Sequence, residues 1–109
     1  MIEQEKMEWA AEQIGLWIDN DRPFYNRKIR IFESLEKKKD KGIYDPLKAL
    51  KAFNYLTTDV RRQLNREEKE NITDMIGTTM PPAASTIVDE ELRMEFEAWY
   101  TEEKELRAS

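Results

Sequence analysis

The chain of 109 residues contains no cysteine and no histidine. Without cysteine it has no disulfides and no thiolate metal site. Without histidine it lacks the commonest general base and the commonest metal ligand. Glycine occurs three times and proline four times, so breaks in regular structure are few. No apolar run approaches the roughly 20 residues a membrane-spanning helix needs. A Gly-rich phosphate loop, a serine-centred elbow and a nucleophile beside a base are all missing, which leaves acyl and phosphoryl transfer nothing to work with. The start, Met1-Ile2-Glu3-Gln4-Glu5, is acidic where a signal peptide is basic and then apolar. These absences point to a cytoplasmic protein with no cofactor, no metal and no catalytic role.

What is there is charge and aromatic bulk. Charged residues make up 38% of the chain, yet aromatics reach 10%, too many for a disordered segment. The charge is segregated. Residues 1–24 carry two basic and six acidic side chains, net −4. Residues 25–69 carry thirteen basic and seven acidic, net +6. Residues 70–109 carry three basic and ten acidic, net −7. Either the acidic ends neutralise the basic middle within the molecule, or the middle is a surface for nucleic acid or an acidic partner.

The apolar residues recur at helical spacing and nowhere in sustained alternation. Met7, Ala10, Ala11, Ile14, Trp17 and Ile18 predict a helix over 3–19, with Trp9 and Leu16 as a second, narrower stripe. Asp21 or Asn20 caps the next helix, with Pro23 in its first turn. Its apolar face is Phe24, Tyr25, Ile29, Ile31, Phe32 and Leu35, and Gly42 supplies the left-handed residue that ends it. Asp45-Pro46 opens a third helix with the stripe Ala49, Ala52, Phe53, Leu56, Val60 and Leu64. Asn65 and Glu68 have capping-box spacing for a short fourth helix burying Ile72, Met75 and Ile76 and ending at Gly77. Thr78 to Ala84 reads as a loop around Pro81-Pro82, with a bridge conceivable near Met80. Ser85 or Thr86 caps a last helix with the stripe Val88, Leu92, Phe96 and Trp99, extended to Leu106. The expectation is an all-α, single-domain bundle of about five helices over 1–109.

Trp17-Ile18-Asp19-Asn20-Asp21 with Tyr25, the block Lys37-Lys38-Lys39-Asp40-Lys41-Gly42-Ile43-Tyr44-Asp45, then Lys48-Ala49 and Phe53-Asn54-Tyr55-Leu56 stand together in the chain. With Met80-Pro81, Val88, Leu92, Phe96-Glu97 and Tyr100, this arrangement resembles a family of small helical proteins of bacteriophages and other mobile elements. It departs from that family at Ile43, where a Thr is usual, and at Arg22-Pro23, where a small or acidic residue is common. The resemblance implies a phage or prophage origin and a bacterial host cell; it implies no particular activity.

Four constellations remain. Asp19-Asn20-Asp21 is a possible divalent-cation cluster, but Pro23 falls where a calcium loop needs a ligand and no Gly follows, so helix termination and capping is the simpler account. The carboxylates Asp89, Glu90, Glu91, Glu95 and Glu97 read as a solvated helix face. Lys37, Lys38, Lys41 and Lys48, with Tyr44 at the tip of the turn, form the best candidate partner-binding patch; the alternative is that Tyr44 tucks under the turn and packs on Phe53. Trp9, off the main stripe, is a candidate contact to a partner or a second subunit. The leading functional expectation is stoichiometric binding to a host or phage protein, with inhibition of a defence or replication enzyme as one form of it. A nucleic-acid-associated protein using the 37–51 turn and a structural homo-oligomer are the alternatives.

Overall fold

The computed structural model of the chain describes residues 3–67 and 81–108. Among the described residues there are four helices and no strand: α1 (Glu3–Asn20), α2 (Arg22–Asp40), α3 (Pro46–Glu67) and α4 (Pro82–Ala108). The expected short helix through Ile72, Met75 and Ile76, and the bridge near Met80, lie outside the described residues.

Each junction follows from its local sequence. Asp21 alone separates α1 from α2. Its backbone is extended (φ −107°, ψ 114°), and its Oδ1 accepts from the Phe24 N–H at 3.2 Å. The cap is thus Asp21, while the Asn20 amide donates back to the Leu16 carbonyl. At the end of α2 the Ile43 N–H bonds the Lys38 carbonyl and the Gly42 N–H bonds that of Lys39. Gly42 sits at φ +75°, a left-handed position that costs glycine little. The nested pair of bonds is a Schellman ending. Lys37, Lys38 and Lys39 occupy the last turn, where cations face the negative end of the helix dipole. Asp45 Oδ1 accepts from the Leu47 N–H at 3.0 Å and starts α3.

Two boundaries differ from the sequence reading. Asn65 lies inside α3, which continues to Glu67, and its expected partner Glu68 lies outside the described residues. The last helix begins at Pro82, not after Ser85 or Thr86. Proline at the first helical position costs no hydrogen bond, Ala83 and Ala84 favour helix, and the Ala84 N–H already bonds the Pro81 carbonyl. Ser85 is therefore buried inside the helix, and Thr86 is an exposed residue of its first turns.

One core draws on all four helices: Ala10, Ala11, Ile14 and Ile18 from α1; Phe24, Phe32 and Leu35 from α2; Ala49, Phe53, Leu56, Val60 and Leu64 from α3; Ala84, Val88, Leu92 and Phe96 from α4. The rings of Phe32 and Phe53 meet edge to face at 5.8 Å, and Phe32 lies 5.6 Å from Phe96 and 5.5 Å from Trp99. Leu106, expected to extend the α4 stripe, is exposed because α4 outruns its neighbours.

Two polar sets complete the interior. Lys28 is only 4% exposed, between Phe24 and Phe32 on the core stripe. Its Nζ donates to Asp19 on α1 at 2.9 Å and to Glu95 on α4 at 3.1 Å. It also lies 5.1 Å from the Tyr25 ring centre and 5.8 Å from that of Phe32. Asp89 of α4 is buried and accepts from the Thr57 hydroxyl at 2.6 Å and from the Asn54 amide at 2.7 Å. The carboxylate row read as a solvated face is thus divided: Asp89 turns inward and Glu95 holds Lys28.

Replacing Asp45 by Ala removes the α3 cap and is expected to cost about 1 kcal/mol in urea unfolding. Lys28→Met keeps the packed stem and is expected to cost less than about 1 kcal/mol, whereas Lys28→Ala opens a hole and should cost roughly 2–3 kcal/mol. Equal losses for the two Lys28 variants would show that the charge, not the stem, carries its contribution.

Candidate functional site: a basic groove between α2 and α3

Helices α2 and α3 form an antiparallel hairpin. Outside the core they leave a groove of about 450 Å³ lined by Arg27, Arg30, Ile31, Lys48, Lys51, Ala52 and Tyr55. Ile31 and Ala52 make an apolar floor, half-buried from opposite walls. Four cations form the rims. Tyr55 stands on the α3 wall with 64% of its surface exposed.

The rims extend beyond the groove by helical periodicity. On α2, steps of three and four residues place Lys37 and Lys38 on the flank of Arg27 and Arg30. On α3 the same steps carry the flank from Lys48 and Lys51 through Tyr55 to Arg62 and Arg66. All of these cations except Arg27 are exposed. One acid, Asp59, lies on this α3 flank, and it is tied to Arg27 at 2.9 Å. Lys48 and Lys51 make no ion pair among the described residues.

The structure divides the residues singled out from sequence. Lys48 is in the groove. Lys37, Lys38 and Lys41 are exposed at the hairpin end, Lys37 and Lys38 continuing the α2 rim. Tyr44 is not an exposed tip. It is half-buried with its ring 5.6 Å from that of Phe96, not on Phe53, and the Lys39 ammonium lies 4.8 Å from the Tyr44 ring centre. Burial, reinforced by the Glu97 carboxylate, raises the Tyr44 hydroxyl pKa, and Arg93 works against both. What the turn exposes is Ile43 and Leu47. Trp9 packs half-buried against the core from α1, which does not line the groove. Arg27, Arg30 and Tyr55 were missed. Their signal was the three-and-four spacing of cations across two helices, legible only once the hairpin pairing is known.

The Asp19-Asn20-Asp21 cluster disperses into three structural tasks: Asp19 pairs with Lys28, Asn20 closes α1 and Asp21 caps α2. A smaller hollow of about 240 Å³ lies there beside Trp17, whose indole N–H is buried without a partner among the described residues. No group of three or more acidic side chains converges as a metal site among the described residues. No described helix is long and apolar enough to cross a membrane.

Elsewhere the charges serve the fold. Arg93 bridges Glu90 at 2.8 Å and Glu97 at 2.6 Å, which holds Glu90 below the usual carboxylate range. Asp40 at the end of α2 accepts from Tyr100 at 2.7 Å and pairs with Lys104 at 2.6 Å. Burial opposes the charge of Lys28, but its hydrogen bonds to Asp19 and Glu95 outweigh that and raise its pKa above 10.5. No protein-family model, curated protein or solved structure matches the chain.

Burial raises the pKa of Asp89 against the pull of Thr57 and Asn54. The folded state then holds this proton more tightly than the unfolded chain, so Asp89 favours folding more as pH falls from its folded pKa toward 3.8. The stability difference between the wild type and Asp89→Asn should shift in favour of the wild type between pH 7 and about pH 4. A pH-independent difference in denaturant unfolding would refute this.

Proposed function

We propose that the chain is a non-catalytic binding protein that acts by stoichiometric association, and that the α2–α3 groove holds an acidic segment of a host or phage protein. One observation carries the reading: two basic rims flank an apolar floor on a molecule whose net charge is −5. A floor of Ile31 and Ala52 receives an apolar side chain, and rims of Arg27, Arg30, Lys48 and Lys51 receive the carboxylates beside it, as in helix-in-groove recognition. Opposite potentials also speed encounter. The phage or prophage origin, the bacterial cytoplasm and the inhibition of a defence or replication enzyme belong to the proposal through the resemblance of the Trp17–Asp21 and Lys37–Asp45 blocks.

The exposed Tyr55 among cations favours a second reading, in which a single-stranded nucleic acid stacks a base there and lays phosphates along the rims. The apolar floor argues for protein, because a phosphate backbone gains nothing from it.

Arg30→Glu with Lys51→Glu cancels the positive charge of both rims. Exposed substitutions of this kind usually move stability by no more than about 0.5 kcal/mol. Proteins captured from a bacterial lysate by the wild type should be lost with this variant, and a labelled single-stranded oligonucleotide should bind neither. An unchanged set of captured proteins would remove the groove from the mechanism. Salt-sensitive oligonucleotide binding by the wild type alone would favour the second reading.

A further inference from the structure

The chain itself carries an acidic helix face of the kind the groove suits. On α4, Glu91, Met94, Ala98 and Glu102 follow one another by three, four and four residues and are all exposed. Met94 is 61% exposed, an apolar knob on a charged face. Glu91 and Glu102 make no ion pair among the described residues, unlike Glu90, Glu95 and Glu97. This stripe is the acidic, apolar-centred counterpart of the basic, apolar-floored groove.

The spacings also agree. Glu91 and Glu102 are eleven residues apart, about 16 Å along the helix at 1.5 Å per residue. On the groove flank of α3, Lys51 and Arg62 are eleven residues apart as well. With the helices parallel and Glu91 on Lys51, Glu102 meets Arg62, and Met94 falls at Ala52 and Tyr55. A thioether side chain adapts readily to such a shallow apolar floor.

We propose that the α2–α3 groove accepts the α4 ridge of a second copy of this chain. Groove and ridge are different surfaces, so the contact is heterologous: a dimer made this way retains one open groove and one open ridge. Association then continues with concentration unless a ring closes. The contact is mainly electrostatic. It is strong at low salt and lost when the Debye length falls from about 14 Å at roughly 0.05 M to about 4 Å at roughly 0.5 M. This inference does not depend on the foreign partner proposed above; it names an occupant available whenever the chain is concentrated.

Sedimentation velocity tests it with two charge-reversed variants of the full chain. Lys51→Glu with Arg62→Glu reverses the two α3 positions that meet Glu91 and Glu102. Glu91→Lys with Glu102→Lys makes the ridge basic. Wild type should sediment above the monomer at low salt and as monomer at high salt. Each variant alone should remain monomeric at low salt, since the facing positions 51 with 91 and 62 with 102 then carry like charge. An equimolar mixture of the two should regain association, because each groove again meets a ridge of opposite sign. Met94→Asp, a single exposed change, should weaken wild-type association at least about tenfold. Circular dichroism establishes that each variant is folded. A wild type that stays monomeric at low salt, association that persists at high salt, or a mixture of folded variants that fails to associate would each overturn the proposal. The ridge variant also separates the two readings, because it should still capture a foreign acidic partner through its unaltered groove.

Discussion

Lys28 is the interaction on which the arrangement of helices most depends. A charged residue at a core position of α2 must find its counter-charges within reach of one ammonium group. Here they come from two other helices, Asp19 of α1 and Glu95 of α4, at 2.9 and 3.1 Å. A single nitrogen therefore links three helices. Its methylene stem fills space beside Phe24 and Phe32, while its head reaches carboxylates that remain partly in water. The partial exposure of the acids keeps the desolvation cost modest, and their hydrogen bonds hold the lysine charged.

Around that link, many of the exposed charges of opposite sign collect on different helices. The outward flanks of α2 and α3 are basic, and the outer face of α4 is acidic. The ion pairs Arg93 with Glu90 and Glu97, Lys104 with Asp40, and Arg27 with Asp59 consume some of each. Lys28 joins the basic middle to Asp19 and Glu95 of the acidic ends, whereas Lys48, Lys51, Glu91 and Glu102 make no ion pair among the described residues. Segregation along the sequence has become segregation over the surface, and this is why a binding role is the reading the geometry supports best.

Much of the fold was legible in the sequence where one rule acted alone. Of the α3 stripe, Ala49, Phe53, Leu56, Val60 and Leu64 are buried as their spacing required, while Ala52 is half-buried on the floor of the groove. Asp21, Gly42 and Asp45 act at helix ends because their chemistry suits little else there. The misreadings arose where a residue's place depends on a neighbouring helix. Lys28 occupies the Phe24–Phe32 stripe, but polarity hid it. Leu106 continues a periodic stripe past the end of the bundle, where nothing covers it. Tyr44 is turned inward by Phe96, a residue fifty-two positions away, so loop position misled. The groove is the clearest case. Arg27, Arg30, Lys51 and Tyr55 become one site only through the pairing of α2 with α3, which periodicity within either helix does not encode.

The hydrogen bonds of Asp89 to Thr57 and Asn54 have a consequence for the choice among alternative packings. Faces of alanine, valine, leucine and phenylalanine tolerate a one-turn slide of α4 along α3 of about 5.4 Å with modest loss, since one apolar contact replaces another. A carboxylate does not. Shifted by a turn, Asp89 would lose the paired geometry in which the Thr57 hydroxyl and the Asn54 amide both donate to it. Three polar side chains in the seam thus act as a detent. They widen the energy gap between one alignment of the two longest helices and its near neighbours, in an interface whose apolar residues alone would leave several alignments closely matched.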